Sequence, residues 1–194
     1  MSTGGGIRSA RFLAAGTALR ILLTPVVMAL LLVDGSVPGD VARLALAAFC
    51  VAAATDWVDG RLARRWGVTT KLGSFLDTTA DKLLVTGVLI ALVAVERASP
   101  WIAVLIVGRE LVILGLRGVV AGEGTLMQPS LLGKLKTSVQ FLAIALAIVR
   151  PGDPVAGLFV DEWVMLAAAV ITVVSAVDYL ARFSSSLSMR SDAA

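Results

Sequence analysis

Residues 56–82 read DWVDGRLARRWGVTTKLGSFLDTTADK, and the rest of the chain is organised around this stretch. It holds four carboxylates in two pairs, Asp56 with Asp59 and Asp77 with Asp81. Gly60, Ala63, Arg64 and Gly73 lie between the pairs, and both flanks are almost purely apolar. Acids placed beside lipid-compatible sequence are costly unless something compensates their charge. Each pair is spaced to share one face of a helix. Two adjacent antiparallel helices can therefore aim all four at one point. Without cations the four would repel one another at a cost of several kcal/mol each. Hard divalent ions held by oxygen relieve that cost, which points to Mg²⁺ or Mn²⁺. Two ions about 4 Å apart suit this ligand count. The competing explanation is that the aspartates cap helix ends and pair with Arg61, Arg64, Arg65 and Lys82.

The flanks set the fold class. The chain has 194 residues, of which 58% are hydrophobic and only 16% charged. Its mean hydropathy is +0.91. A soluble domain carries about 25% charged residues. The apolar runs approach the roughly 20 residues that a helix needs to cross a bilayer. Backbone groups in lipid must be satisfied within the segment or within a closed barrel. The runs are continuous rather than alternating, so helices are expected. The expectation is an all-α integral membrane protein, a single polytopic domain over residues 1–194. Residues 1–11 form a mobile lead and 184–194 a tail.

Histidine is absent, which excludes His-based acid–base catalysis and His-ligated zinc. Cys50 is the single cysteine, so no internal disulfide can form, and its apolar surroundings predict a small buried hydrophobe. The first apolar run is broken by Arg20 and lacks a cleavage site, so it is expected to be a retained helix rather than a signal peptide.

Six helices are predicted, at roughly residues 16–34, 40–62, 73–95, 101–120, 131–150 and 162–182, with errors of a few residues at each boundary. The turns DGSVPGD, ERASP, GEGTLMQPS and RPGDPVAGLFVDE separate them. One set of ends carries Arg8, Arg11, Arg61, Arg64, Arg65, Lys71, Lys82, Lys134, Lys136, Arg182 and Arg190; the other carries Arg43, Arg97 and Arg150 among six acids. The positive-inside rule places both termini and the aspartates on the cytoplasmic side of the cell membrane. The net charge of +3 suits a face that meets anionic lipid.

The spacing Asp56-x2-Asp59-Gly60-x2-Ala63-Arg64-x8-Gly73-x3-Asp77-x3-Asp81 resembles the full signature of the CDP-alcohol phosphotransferases. That resemblance implies a six-helix membrane fold, usually homodimeric. It implies transfer of a phosphatidyl or related group from a CDP-linked donor to an alcohol, with release of CMP. It further implies that Asp56, Asp59, Asp77 and Asp81 hold two divalent metals, Asp81 serving also as general base. Gly60, Ala63, Arg64, Thr70 and Gly73, with Arg20 on the first helix, are implied to contact the donor. Gly60 and Ala63 also leave room for a close approach. The chain departs from many relatives in having Thr78 where they have proline, and it lacks an Asn-rich lead.

The acceptor is read from the second half. Arg109 and Glu110 lie mid-helix, where ionisable groups are expensive and mark a site by default. Arg117 follows two turns later, and Gly133-Lys134-x-Lys136-Thr137 opens the fifth helix. Arg109, Arg117, Lys134 and Lys136 are the expected pocket for an anionic acceptor carrying its own phosphate. The competing explanations are an Arg109–Glu110 packing pair and ordinary positive-inside lysines. GRELVILGLRGVVAGEG followed by SLLGKLKTSVQ resembles the bacterial phosphatidylglycerophosphate synthase branch. That resemblance implies CDP-diacylglycerol and sn-glycerol 3-phosphate as substrates. The nearest alternative is a sibling of cardiolipin synthase type, with phosphatidylglycerol as acceptor. Ion or proton transport needs acids spread along a path, whereas these cluster at one face. Nucleic-acid binding has no support, because the basic residues follow topology instead of forming a patch.

Overall fold

A computed structural model describes residues 3–34, 39–66, 71–122 and 131–191. Six α-helices account for nearly all of them: α1 (Thr3–Asp34), α2 (Asp40–Trp66), α3 (Lys71–Ala94), α4 (Pro100–Gly122), α5 (Leu131–Val149) and α6 (Val160–Ser191). All six expected helices are present. The outer two are longer than expected: α1 begins within the anticipated lead, and α6 runs on into the anticipated tail. Neither extension contains a proline to stop it.

Several helix ends have a local cause. At the end of α3, Glu96 takes a left-handed φ of 57°. The Arg97 N–H then donates to the Leu92 carbonyl at 2.8 Å and the Glu96 N–H to the Val93 carbonyl at 3.1 Å. This is a Schellman closure. α4 restarts with Pro100 at its first position, where a missing N–H costs nothing. Between α5 and α6 the chain makes a miniature hairpin. Val155 pairs with Leu158 across Ala156 and Gly157. Both turn residues have positive φ, 52° and 84°. Glu162 then accepts a hydrogen bond from the Phe159 N–H at 2.8 Å and opens α6 as a capping residue.

α1 packs along both α2 and α3, α5 packs along α6, α2 and α3 both meet α5, and α4 joins α3 to α6. The core between them is Val27, Leu31, Phe49, Leu84, Leu89, Leu92, Ile106, Ile144 and Ile148, interleaved with fully buried alanines at 45, 52, 91, 143, 147 and 168. Small residues let helix backbones approach closely where no hydrophobic drive operates, as in lipid. Gly87 shows the tightness: a Cβ there would lie 2.9 Å from both Met28 Sδ and Thr24 Cγ2. The Phe49 and Phe141 rings meet at 5.5 Å and tie α2 to α5.

The outer surface is apolar. Trp101 is 82% exposed, and Leu22, Val33, Val104, Val170 and Val177 are also widely exposed. Apolar surface on this scale marks a face that meets lipid or another protein. Cys50 belongs to it. The expectation of a buried thiol is therefore corrected: Phe49 and Ala52 turn inward on α2, which leaves Cys50 exposed. Two segments, Ala15–Val33 and Val160–Phe183, are long and apolar enough to cross a membrane. Among the described residues the other helices fall short of that measure. α2, α3 and α4 carry charged residues within their length.

Candidate active site

Two groups of polar side chains lie at the end of the bundle where α2 finishes and α3 begins. The first is built on Arg20. A guanidinium within an apolar helix must be paired or hydrogen-bonded. Arg20 is 0% exposed, held on α1 between α2 and α3. Its Nη1 donates to Asp77 Oδ1 at 3.1 Å. It also reaches the Asp77 backbone carbonyl at 3.5 Å. Its Nη2 is 4.0 Å from Asp59 Oδ2. Asp59 on α2 and Asp77 on α3 are thus drawn to one point. α1 comes this close because residue 16 is glycine. A Cβ there would overlap Asp59 Oδ2 and lie 2.7 Å from its Cγ.

Asp81, one turn after Asp77, pairs with Lys82 at 2.9 Å. Asp59 Oδ2 is buried and makes no hydrogen bond among the described residues. A buried carboxylate oxygen in that position needs a cation. An oxygen-only set of this kind fits a hard divalent ion. Among the described residues, no three carboxylates stand close enough to form a metal cluster. The expected ligand Asp56 has its side chain outside the described residues, as do Gly60, Ala63, Arg64, Thr70 and Lys134. Gly73 is exposed near the start of α3.

The second group surrounds Glu110. This buried carboxylate on α4 has three cationic neighbours. Lys82 Nζ of α3 is 2.6 Å from Oε2. Lys136 of α5 donates to Oε1. Arg109 Nη1 is 3.4 Å from Oε1. Arg109 also donates through Nη2 to Ser175 Oγ of α6 at 2.8 Å. Glu110 thus gathers cations from three helices, and Arg109 reaches the fourth. Sharing one buried carboxylate offsets the mutual repulsion of these cations.

A cavity of about 400 Å³ opens beside this hub. Lys82, Arg109, Arg117 and Lys136 line it, against the single acid Glu110. Thr78, Thr137, Ser138 and Tyr179 also belong to its lining. Small-molecule sites typically occupy such a cleft, with a few convergent polar groups. The excess of positive charge selects an anion, and the arginine forks suit phosphate.

The two groups are contiguous. Lys82 touches Asp81 on one side and Glu110 on the other. Thr78, adjacent to Asp77, lines the cavity. An anion in the cavity therefore lies beside the aspartates.

Of the acceptor residues expected from sequence, Arg109, Arg117 and Lys136 are brought together in this cavity. Sequence reasoning did not assign Lys82, Ser175 or Tyr179 to the site. From sequence, Glu110 is marked with Arg109 as a mid-helix site by default but is given no ligand role, and Lys82 is offered only as a partner for the aspartates. Tyr179 had a signal: it is the chain's single tyrosine, one helical turn beyond Ser175.

The sequence model for CDP-alcohol phosphatidyltransferase matches residues 14–175. A Bacillus subtilis (strain 168) protein named CDP-diacylglycerol--glycerol-3-phosphate 3-phosphatidyltransferase is 39% identical over 181 residues, 86% of this chain and 91% of that protein. An Escherichia coli (strain K12) protein of the same name is 40% identical over 137 residues, 68% of this chain and 74% of that protein. A Mycobacterium tuberculosis (strain H37Rv) protein named "Probable phosphatidylglycerophosphate synthase" is 40% identical over 167 residues, 86% of this chain and 78% of that protein.

Proposed function

This chain belongs to the CDP-alcohol phosphatidyltransferase family, and on that premise we propose that it transfers the phosphatidyl group of CDP-diacylglycerol to sn-glycerol 3-phosphate. The products are phosphatidylglycerophosphate and CMP. The observation that carries this reading is the cationic cavity set against Asp81 through Lys82. A small phosphorylated alcohol held there by its phosphate presents a hydroxyl to the aspartates.

In this mechanism Arg109, Arg117, Lys134 and Lys136 bind the acceptor phosphate. Asp81 takes the proton of the acceptor hydroxyl as general base. The alkoxide oxygen attacks the phosphorus that bears diacylglycerol. A new O–P bond forms, the bond to CMP breaks, and CMP leaves with its phosphate. Asp56, Asp59, Asp77 and Asp81 would hold two divalent ions, which when bound neutralise the donor's diphosphate and stabilise the leaving group. Arg20 fixes Asp59 and Asp77 at a common point. Arg20, Gly60, Ala63, Arg64, Thr70 and Gly73 form the donor side.

The same proposal includes six membrane spans, cytoplasmic termini, an active site on the cytoplasmic side of the cell membrane and a homodimer. The charge asymmetry supports the orientation, and the exposed apolar flanks of the helices support the bilayer.

The test is CMP release by the purified protein in detergent, with CDP-diacylglycerol, Mg²⁺ or Mn²⁺, and one acceptor at a time. CMP with glycerol 3-phosphate alone, abolished by EDTA, is the expected result. CMP with phosphatidylglycerol, serine or inositol instead would assign the enzyme to a sibling branch. No CMP with any acceptor would overturn the reading.

A further inference from the structure

The four cations around the cavity are not equivalent. Glu110 already holds Lys82, Arg109 and Lys136. Arg117 has no carboxylate or hydrogen-bond partner among the described residues. Its guanidinium lies over the ring of Tyr179, 6.0 Å from the centroid. Asp178, next to Tyr179 in the chain, pairs instead with Arg182 at 3.0 Å. It is not among the residues that line the cavity.

Tyr179 is unusual in its own right. It is only 8% exposed. Its hydroxyl oxygen is buried and has no hydrogen-bond partner among the described residues. A buried tyrosine hydroxyl ordinarily finds a partner, because leaving it unmet forfeits its hydration. Tyr179 lines a cavity whose charged members are four cations, Lys82, Arg109, Arg117 and Lys136, against one acid, Glu110. The one carboxylate in the lining, Glu110, is already engaged by Lys82, Arg109 and Lys136. The missing partner is therefore an acceptor of hydrogen bonds that carries negative charge.

Building on the function proposed above, we propose that Tyr179 is a substrate-binding residue whose hydroxyl donates a hydrogen bond to the phosphate of the acceptor, beside the Arg117 guanidinium. A phosphomonoester has three terminal oxygens, so it accepts from the arginine fork and the phenol together. The stacked ring holds Arg117 over the cavity before the substrate arrives. The labour then divides. Arg109 and Lys136 bind the phosphate while also neutralising Glu110, whereas Arg117 and Tyr179 bring donors that no acceptor among the described residues engages.

Tyr179→Phe tests this directly, because it keeps the ring and its stacking and removes only the hydroxyl. Steady-state CMP release gives KM for each substrate separately. The expected result is a KM for glycerol 3-phosphate raised about tenfold or more, with KM for CDP-diacylglycerol unchanged and thermal stability equal to or above that of the parent. Arg117→Gln raises the same KM, and the double variant costs less than the two effects summed, because both side chains hold one phosphate. An unchanged KM for glycerol 3-phosphate in an active Tyr179→Phe protein overturns the proposal and leaves the function standing. Parallel loss toward both substrates, with lowered thermal stability, makes the hydroxyl structural and also overturns it. A parent protein that releases no CMP with glycerol 3-phosphate overturns function and proposal together.

Discussion

The two ends of the bundle both contain buried arginines, yet they use them differently. At the end where α3 passes to α4 and α5 to α6, the arginines are absorbed by structure. Arg97 is buried and donates to the Ile148 carbonyl at 2.5 Å. Arg150 meets Asp161 at 3.3 Å and Glu162 at 3.6 Å, and it stacks on Phe159 at 4.7 Å. Trp163 closes the hairpin by donating to the Val155 carbonyl at 3.1 Å. Cations there are matched by neighbouring acids, carbonyls and an aromatic face. At the opposite end, three cations share Glu110, Arg117 has no acid, and a cavity remains open. Where charge is closed on itself it serves the fold. Where it is left in excess around a void, it is available to a ligand.

That contrast breaks first at Asp81. Asp81→Asn is expected to lower CMP release by 10²–10⁴-fold while the helical signal and melting behaviour persist. A variant that turns over at the parent rate removes Asp81 from the role of base. Next comes Gly16→Ala. The added methyl must push Asp59 away from Arg20, and a displacement of about 1 Å near the chemistry costs about 10² in rate. Retained activity would mean that α1 can retreat without consequence.

Glu110→Gln sharpens the comparison at the level of stability. It strands three cations around a neutral amide, and breaking a buried charge set costs about 3–5 kcal/mol. Thermal unfolding in detergent measures this; a loss below about 1 kcal/mol would show that the cations repack. At the other end, Asp161→Asn is expected to cost about 2 kcal/mol of stability, with kcat unchanged below the melting transition. An Asp161→Asn protein that melts normally but loses turnover would erase the distinction between the ends. The smallest effect is at Ala156, whose φ of 52° suits glycine better. Ala156→Gly should raise stability by up to about 1 kcal/mol, and a drop would mean that its methyl packs usefully.

Much of this was legible in the sequence because it rests on local rules. Apolar runs punctuated by proline, glycine and charge predicted six helices in the right order. Three- and four-residue spacing within the aspartate pairs gave the expectation that each pair shares a helix face, and the structure brings Asp59 of one pair and Asp77 of the other to Arg20. The basic residues Arg109 and Arg117 of α4 and Lys136 near the start of α5, picked out in the sequence, line one cavity. Helix ends were less legible. The α1 and α6 extensions lie beyond the apolar stretches, and hydropathy carries no information where a helix leaves its hydrophobic setting. Cys50 was misjudged for a related reason: in a chain whose exterior is as apolar as its core, an apolar neighbourhood does not imply burial.

The sequence by itself determined the family signature, the helical class, the charge asymmetry between the two sets of helix ends, and the chemistry that carboxylates and arginines can offer. Tertiary structure alone decided the partners. Arg20 and Asp77 are 57 residues apart in the chain, and Arg109 and Ser175 are 66 apart. Nothing in helical periodicity selects those pairs; they depend on which helices become neighbours and on how closely Gly16 and the buried alanines let them approach. The same packing made Glu110 the shared counterion, because burial in a low-dielectric interior forces charged groups to find their match across space, and it left the Tyr179 hydroxyl without a partner among the described residues.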